Sequence, residues 1–128
     1  MSHNEMSNEA LGMMADAFAL NTNIEEISIT HNDLSLVNGH KFLESLKNMT
    51  KLERLSLNSC KLDHELLEVL ATALETNTVL QELNLYSNDI NSEGAQIVAK
   101  IIKDKINLKI LGLSNNAIGF SGAREIAS

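Results

Sequence analysis

Histidine and cysteine, which often carry acid-base, nucleophilic or metal chemistry, are few and scattered in this chain. The sequence contains no phosphate-binding GxxxxGK[ST] motif, no HExxH, no GxSxG and no CxxC. The four histidines share no common spacing, and the only cysteine is Cys60. We therefore expect that the protein is not an enzyme and that it uses no cofactor and no metal ion. The histidines are His3, His31, His40 and His64.

Composition and charge narrow the classes of partner. The 128-residue chain has a formal net charge of −7 and an isoelectric point near 5.0. Lysine and arginine form no cluster of the kind that binds phosphates, so nucleic acid and anionic membranes are poor partners. No apolar stretch approaches the roughly 20 residues that span a bilayer. A lone cysteine excludes an internal disulfide framework. These features predict an intracellular, cytoplasmic protein without membrane insertion.

One pattern of eleven residues recurs four times, beginning at Ile24, Leu52, Leu80 and Leu108, which are 28 residues apart. The copies read IEEISITHNDL, LERLSLNSCKL, LQELNLYSNDI and LKILGLSNNAI. Each copy has apolar residues at its first, fourth, sixth and eleventh positions, and asparagine or cysteine at its ninth. A fixed period of about 20 to 50 residues indicates a solenoid, in which each repeat buries its apolar face against its neighbours.

Within each repeat, apolar residues first occur at every second position and then at intervals of three and four residues. Ile27, Ser28 and Ile29 alternate between apolar and polar, which predicts a short strand. After the second copy the apolar residues follow helical spacing. A strand, a helix and a return to the next strand form a crossover, so the strands should be parallel, with their helices on one side. The apolar residues of that helix are Leu66, Leu67, Leu70, Ala73 and Leu74.

The repeats predict a single domain that covers residues 1–128. Leu11, Met14, Ala17 and Phe18 match the helical positions of later repeats, so the N-terminal segment is expected to supply a first helix without its own strand. The predicted parts are an N-terminal helix or cap at 1–23, full repeats at 24–51, 52–79 and 80–107, and an incomplete fourth repeat at 108–128.

The copies carry the pattern LxxLxLxx(N/C)xL and resemble the leucine-rich repeats of the ribonuclease inhibitor type. The resemblance covers residues 7–128 and implies an α/β fold. In that fold a curved, right-handed β-α superhelix carries parallel strands on its concave side and α-helices on its convex side. The resemblance also implies a ladder of inward-turned side chains that bond to backbone groups where each strand ends. The ladder residues are Asn32, Cys60, Asn88 and Asn116.

Cys60 has two interpretations at this ladder position. An asparagine amide both donates and accepts hydrogen bonds, whereas a cysteine fills the same space with weaker bonding capacity. We therefore expect a structural role. A reactive or metal-binding Cys60 is the alternative, although no second cysteine and no suitably spaced histidine pair accompanies it.

The outward-facing strand positions are candidates for a partner-binding surface. Most are small or polar, as on any solvent-exposed sheet, but Tyr86 and Ile110 are large and largely apolar. An aromatic and an aliphatic side chain together can anchor a protein partner. Glu26 and Glu82 would attract a basic partner, although a solvated charged face is the simpler explanation. The predicted surface comprises Glu26, Arg54, Asn58, Glu82, Tyr86, Ile110 and Ser114.

The C-terminal end of the predicted solenoid is a second candidate surface. Because the fourth repeat is incomplete and solenoids normally need a polar capping repeat, apolar residues are expected to be exposed there. Three explanations stay open: the chain is a fragment of a longer array, two copies stack end to end, or another protein covers the end. The residues concerned are Ile118, Phe120 and Ile126.

These observations favour a protein-interaction module whose protein partner is unknown. The resemblance alone adds a second hypothesis, regulation of an enzyme, because proteins with this repeat type include activators of the small GTPase Ran and inhibitors of ribonuclease. A third hypothesis is a structural subunit or the repeat segment of a larger receptor. A fold of this kind hosts many functions, so the partner does not follow from it.

Overall fold

Strands and helices alternate along the chain, as the repeated pattern predicts. The computed structural model describes residues 2–4, 8–18, 20, 23–35, 37–88, 90–103, 105–113 and 116. A short 3₁₀ turn at Leu46–Asn48 extends the second helix. The elements in chain order are β1 (Ser2–Asn4), α1 (Asn8–Phe18), β2 (Glu26–Thr30), α2 (Val37–Ser45), β3 (Arg54–Asn58), α3 (His64–Ala73), β4 (Glu82–Asn84), α4 (Ser92–Ile102) and β5 (Ile110–Gly112).

All five strands form one parallel sheet in the order β1-β2-β3-β4-β5. From β2 to β5 each strand residue lies opposite the residue one repeat later. Glu26 pairs with Arg54, Arg54 with Glu82, and Glu82 with Ile110. The 28-residue period of the sequence is therefore the register of the sheet, and the predicted α/β solenoid with parallel strands is confirmed.

The N-terminal segment does contain a strand, so the prediction of a first helix without one was wrong. In β1, Ser2 lies opposite Ser28 and Asn4 opposite Thr30, an offset of two residues from the period of the later repeats. An edge strand of three residues pairs through backbone N–H and C=O groups alone. Its residues, Ser-His-Asn, show no alternation of apolar and polar side chains, so the pattern that reveals the other strands is missing.

Inward-facing strand residues and one side of each helix form a single core. Ile27 and Ile29 of β2 are completely buried, and so are the residues one and two periods later, which lie on β3, on β4 and directly after β4. The five apolar residues predicted to face inward from α3 and its end are all buried as well. The residues that follow Ile27 and Ile29 by one and two periods are Leu55, Leu57, Leu83 and Leu85.

Helix α1 buries most of the predicted residues but not all of them. Leu11 and Phe18 are buried and Met14 is partly buried against the core, whereas Ala17 is exposed and Ala15 is buried instead. Ala15 and Phe18 follow Leu11 by four and seven residues, so they lie on the same side of the helix as Leu11. Ala17 follows Leu11 by six residues and lies on a different side. Phe18 contacts Phe42 of α2 with 5.6 Å between the ring centroids, which joins the first two helices.

Capping side chains mark where α3 and α4 begin. The Asp63 carboxylate accepts a hydrogen bond from the Leu66 N–H at 3.0 Å. One period later, the Asn91 side chain accepts from the Gly94 N–H at 2.9 Å. The first N–H groups of a helix have no partner within it, so these caps satisfy donors that would otherwise be unpaired. Helix starts therefore follow the period too.

The return from helix to strand is held by side chains that bond to the backbone of the same and the preceding repeat. Asn77 Oδ1 accepts from the N–H groups of Val79 and Leu80 at 2.8 and 2.9 Å. Its Nδ2 donates to the Leu52 carbonyl at 3.0 Å. One period later, Lys105 Nζ donates to the Asn77 carbonyl at 2.7 Å. Each repeat is thus bonded to the one before it at this corner.

The helices lie side by side along one side of the sheet, α1 next to α2, α2 next to α3 and α3 next to α4. Neighbouring strands are about 4.8 Å apart, whereas packed helices need about 8 to 10 Å. The layer of helices is therefore longer than the sheet, and the solenoid curves with the sheet on its inner side. The side of the sheet opposite the helices, formed by the outward residues of β2 to β5, is termed the sheet face below.

The turns that follow three successive strands, β2, β3 and β4, each contain a residue with left-handed backbone conformation. His31, Ser59 and Ser87 are one period apart and have φ values of 55°, 57° and 55°. A residue with a Cβ atom adopts this conformation at a cost of roughly 1 to 2 kcal/mol. The repeated turn therefore carries a small strain that glycine would relieve.

We expect Ser59→Gly to raise the free energy of unfolding by up to about 1 kcal/mol, because glycine adopts the left-handed conformation without strain. The greater entropy that glycine gives the unfolded chain offsets part of this gain and keeps it small. Urea unfolding followed by circular dichroism measures the change. Ser28→Gly is the matched control, since Ser28 lies in the extended strand β2, where glycine should destabilise by about 0.5 to 1 kcal/mol. Equal destabilisation by both substitutions would contradict the prediction.

Candidate functional site

The first row of the sheet face runs across four strands through Glu26, Arg54, Glu82 and Ile110. Arg54 Nε donates to Glu26 Oε2 at 3.3 Å, and both side chains are about half exposed. Exposed ion pairs contribute roughly 0 to 1 kcal/mol, so this pair adds little stability. Ile110 is 50% exposed although it lies in a strand. The row therefore ends on an aliphatic side chain that the described chain covers only by half.

Asn84 occupies the middle of the sheet face and is only 9% exposed. Its Nδ2 donates to Glu82 Oε1 at 2.8 Å and to Ser56 Oγ at 3.4 Å. Its Oδ1 is buried, and among the described residues it has no hydrogen-bond partner. A buried acceptor without a partner costs about 1 to 3 kcal/mol. The sheet face thus holds one unsatisfied carbonyl oxygen.

Gly112 of β5 makes room for two side chains that lean over it from β4 and the turn that follows. A Cβ atom on Gly112 would lie 2.4 Å from Asn84 Oδ1 and 2.6 Å from Tyr86 Cζ. Contacts that close do not occur, so any larger residue would displace one of the two side chains. The exposed Tyr86 ring therefore lies against β5, over the outward neighbour of Ile110 on that strand. Glycine inside a strand commonly marks such a close approach.

Asn58, one of the predicted partner-binding residues, is engaged within the protein. Its Oδ1 accepts from the backbone N–H of Tyr86 at 2.9 Å. This bond holds the backbone of Tyr86 just after β4, while its ring lies on the sheet face against β5. Asn58 therefore positions Tyr86.

Charges on the sheet face and its rim are predominantly negative. The rim residue Glu25 is exposed, and Glu53 accepts a hydrogen bond from Gln81 Nε2 at 3.1 Å. Four carboxylates stand against two cations, so a positively charged partner is favoured over a negatively charged one. The carboxylates are Glu25, Glu26, Glu53 and Glu82, and the cations are Arg54 and Lys109.

Asn88 bonds to the backbone of the preceding repeat at the end of its strand. Its Oδ1 accepts from the N–H groups of Cys60 and Leu62 at 2.8 and 3.2 Å. Its Nδ2 donates to the Leu57 carbonyl at 2.8 Å. Asn116 makes the corresponding three bonds to backbone groups one period later. Each asparagine thereby supplies partners to buried backbone groups that the turn leaves unpaired.

Cys60 and Asn32 occupy the same position in the two preceding repeats. The Cys60 thiol is completely buried and points at the carbonyls of Ile29 and Asn58, with Sγ–O distances of 3.5 and 3.4 Å. Burial raises the pKa of Cys60 to about 11, partly offset by a hydrogen bond from the backbone of Asn32. Asn32 Nδ2 donates to the Thr30 carbonyl at 2.8 Å. At neutral pH the thiol therefore keeps its proton, which is not the state of a reactive cysteine.

Four predicted site residues lie outside the described residues: Ser114, Ile118, Phe120 and Ile126. Of the predicted partner-binding residues, the structure places Glu26, Arg54, Glu82, Ile110 and Tyr86 on one face. Sequence reasoning counted Asn84 and Gly112 only as small or polar outward residues. One feature of the sequence could have pointed to these two residues. Gly112 stands at an outward strand position one repeat after the polar Asn84, and the aromatic Tyr86 lies two residues after Asn84.

Neither a metal site nor a membrane helix is found in the described ranges. No three His, Cys, Asp or Glu side chains are grouped there so that they could hold a metal ion. None of the helices in those ranges is long and apolar enough to cross a membrane.

Comparisons with known proteins agree with this geometry. A leucine-rich repeat family model matches residues 76–99 and 105–127. The solved structure of leiomodin-1 actin-binding site 2 superimposes with a TM-score of 0.72 and 19% sequence identity, over 95% of this chain and 70% of that chain. No curated protein matches the chain in sequence. The chain therefore folds as a leucine-rich repeat solenoid, whereas the ribonuclease inhibitor subtype stays a prediction.

We expect Asn88→Ala to lower the free energy of unfolding by about 2 to 4 kcal/mol, because it leaves two buried N–H donors without an acceptor. Asn107→Ala is the control, since the exposed Asn107 makes a single bond, from Nδ2 to the Thr78 carbonyl at 2.8 Å. That substitution should cost less than about 1 kcal/mol. Urea unfolding of both variants measures the difference, and similar losses would contradict the role given to Asn88.

The raised pKa of Cys60 predicts a pH dependence of stability. The unfolded thiol loses its proton near pH 9.0, whereas the folded thiol keeps it to about pH 11. The contribution of the neutral thiol is therefore complete below pH 9 and falls as the pH rises towards 11. Urea unfolding from pH 7 to pH 11 should show wild type losing stability relative to Cys60→Ala in this window. A constant difference between the two proteins would contradict burial of the thiol.

Proposed function

We propose that the protein is a non-enzymatic protein-interaction module that binds its partner through the sheet face. The observation that carries the proposal is the pair of exposed apolar side chains, Tyr86 at 37% and Ile110 at 50% exposure, on a regular parallel sheet. Both are held on strands or strand ends whose register is set by the repeat. Side chains on such a scaffold lose little conformational entropy on binding, which favours their use as anchors.

The chemistry of these two residues suits a protein partner. Tyrosine offers a large apolar ring with a polar tip, and such residues are enriched where binding energy is concentrated. The carboxylates around them make the face acidic, which accelerates the approach of a basic partner through long-range attraction. A basic protein surface with an apolar centre is the partner that this combination favours.

The size of the sheet face limits what it can do alone. The four strands of the sheet face, at about 4.8 Å spacing and roughly 15 Å length, present about 290 Å². A standard interface buries about 800 Å² on each partner. The partner is therefore expected to extend beyond the strands onto the rim, where the turns after the strands present His31 and Ser87, both exposed.

Other hypotheses remain as predictions beside this proposal. Regulation of a small GTPase, a structural subunit, a receptor segment and a role for the C-terminal end are compatible with a leucine-rich repeat fold, which hosts all of them. A cytoplasmic location is also compatible with this fold and stays a prediction. The leiomodin-1 domain that this chain resembles is an actin-binding site. A similarity at 19% identity supports a shared fold and not a shared partner. Actin is therefore a defined protein to test for binding, and we do not assign it as the partner.

We expect the double substitution Tyr86→Ala, Ile110→Ala to reduce partner recovery at least about tenfold, because it removes the two exposed anchors of the face. The measurement is quantitative affinity purification from native cell extract with equal amounts of folded protein. Purified actin, tested by direct binding, is the first defined candidate. Saturable binding that the double variant loses would identify it.

The matched control is Met13→Ala, Ile106→Ala. Met13 and Ile106 are 67% and 90% exposed, lie in α1 and in the turn before β5, and are absent from the sheet face. The control should recover as much partner as wild type. Equal recovery by the sheet-face variant and the control would contradict binding through the sheet face.

A further inference from the structure

We infer that the sheet face receives an arginine side chain of the protein partner, held between Glu82, Asn84 and Tyr86. This inference rests on the proposed function, because it names the chemistry by which the same face recognises its partner. Three features of the face carry it: a carboxylate without a cation, a buried carbonyl oxygen without a donor, and an exposed aromatic ring beside both.

Glu82 supplies the charge. Its Oε1 accepts from Asn84 Nδ2 at 2.8 Å, and in the described part of the chain the carboxylate forms no ion pair. Arg54 lies opposite Glu82 in the sheet, but its guanidinium is paired with Glu26 at 3.3 Å. The partly exposed Glu82 carboxylate is therefore available to an incoming cation, and charge-assisted hydrogen bonds are the strong ones.

Asn84 supplies an acceptor whose orientation is determined. Only the amide nitrogen can donate to the Glu82 carboxylate, so the oxygen must point the other way, towards Gly112 on β5. That oxygen is nine-tenths buried with the rest of the side chain and has no partner in the described chain. A donor brought by a ligand would satisfy it, whereas an apolar ligand or an anion would not.

Tyr86 supplies the stacking surface. The ring lies over Gly112 close to Asn84 Oδ1 and is 37% exposed, so the inferred site requires the ring to move and make that oxygen accessible. A guanidinium prefers to lie flat on an aromatic face, where the ring quadrupole attracts it. Ile110, at the adjacent outward position of β5, offers an apolar contact for the methylene stem of the same side chain.

Arginine fits these features better than lysine. Its planar guanidinium carries five N–H donors, so one group can bond to Glu82 and Asn84 while its face stacks on Tyr86. A lysine ammonium is a compact charge that can pair with Glu82 but cannot stack flat on the ring. Citrulline has the same shape as arginine without the charge, so it separates shape from charge in an experiment.

The test is a titration of the full-length ¹⁵N-labelled protein with Nα-acetyl-arginine N-methylamide, followed by NMR at low salt. Saturable shifts are expected at the side-chain NH₂ of Asn84 and the backbone N–H of Gly112. The lysine analogue should bind at least about fivefold more weakly, and the citrulline analogue more weakly still. Equal binding of all three analogues, or no saturable shift with arginine, would overturn the inference.

Variants locate the site. Glu82→Gln should weaken arginine binding about tenfold while its amide oxygen still accepts from Asn84, and Tyr86→Leu should weaken it about fivefold. Glu25→Gln is the matched control, because Glu25 is an exposed carboxylate on the rim. It should change binding by less than about twofold. Equal effects of Glu82→Gln and Glu25→Gln would show general electrostatic attraction and overturn the arginine site.

The outcomes separate this inference from the proposed function. Loss of partner recovery in the Tyr86→Ala, Ile110→Ala protein, combined with no binding of the arginine analogue, would overturn the arginine site and leave the sheet face as the binding surface. Full partner recovery in that double variant would overturn the sheet face itself.

Discussion

Hydrogen bonds from side chains to the backbone of the preceding repeat are the interaction on which this structure depends. Strands of only three to five residues leave many backbone groups at their ends without a partner in the sheet. Asn88 and Asn116 satisfy those groups where the strands end, and Asn77 and Lys105 do so where the helices return. The bonds of Asn88, Asn116 and Lys105 come from the next repeat, so no repeat satisfies its own backbone alone, and neighbouring repeats stabilise one another.

The same bonds explain why we propose the outward residues of the sheet as the binding surface. Inward strand positions are committed to the core, and the strand ends are committed to the ladder, so only one side of the sheet is free to vary. There, Gly112 removes a side chain and lets Asn84 and Tyr86 crowd over β5. The result is a locally unfavourable arrangement, a buried side-chain oxygen that has no donor among the residues the structure describes. Such exceptions concentrate at functional sites, since a binding partner can supply what the chain lacks.

Prediction from the sequence succeeded and failed for identifiable reasons. The strands, their register and the buried side of α3 followed from the period, because an apolar residue at a repeated position marks the same burial in every copy. Strand β1 was missed because an edge strand needs no apolar side chains, only backbone pairing. Ala17 was misplaced because alanine is small enough to lie on either side of a helix, so its apolar character says little about burial.

By itself the sequence determined the architecture of the repeats: where β2 to β5 lie, which of their residues face the core and which repeat lies next to which. This was possible because buried residues recur at every second position in a strand and at every third or fourth position in a helix. The 28-residue period repeats these positions in every copy. Only the tertiary structure decided that, among the described residues, the buried Asn84 oxygen has no donor and Glu82 has no cation, and that Tyr86 lies over Gly112. These facts depend on distances of a few ångströms between side chains of neighbouring strands. The repeat pattern specifies which residues are neighbours in the sheet, but it does not specify those distances.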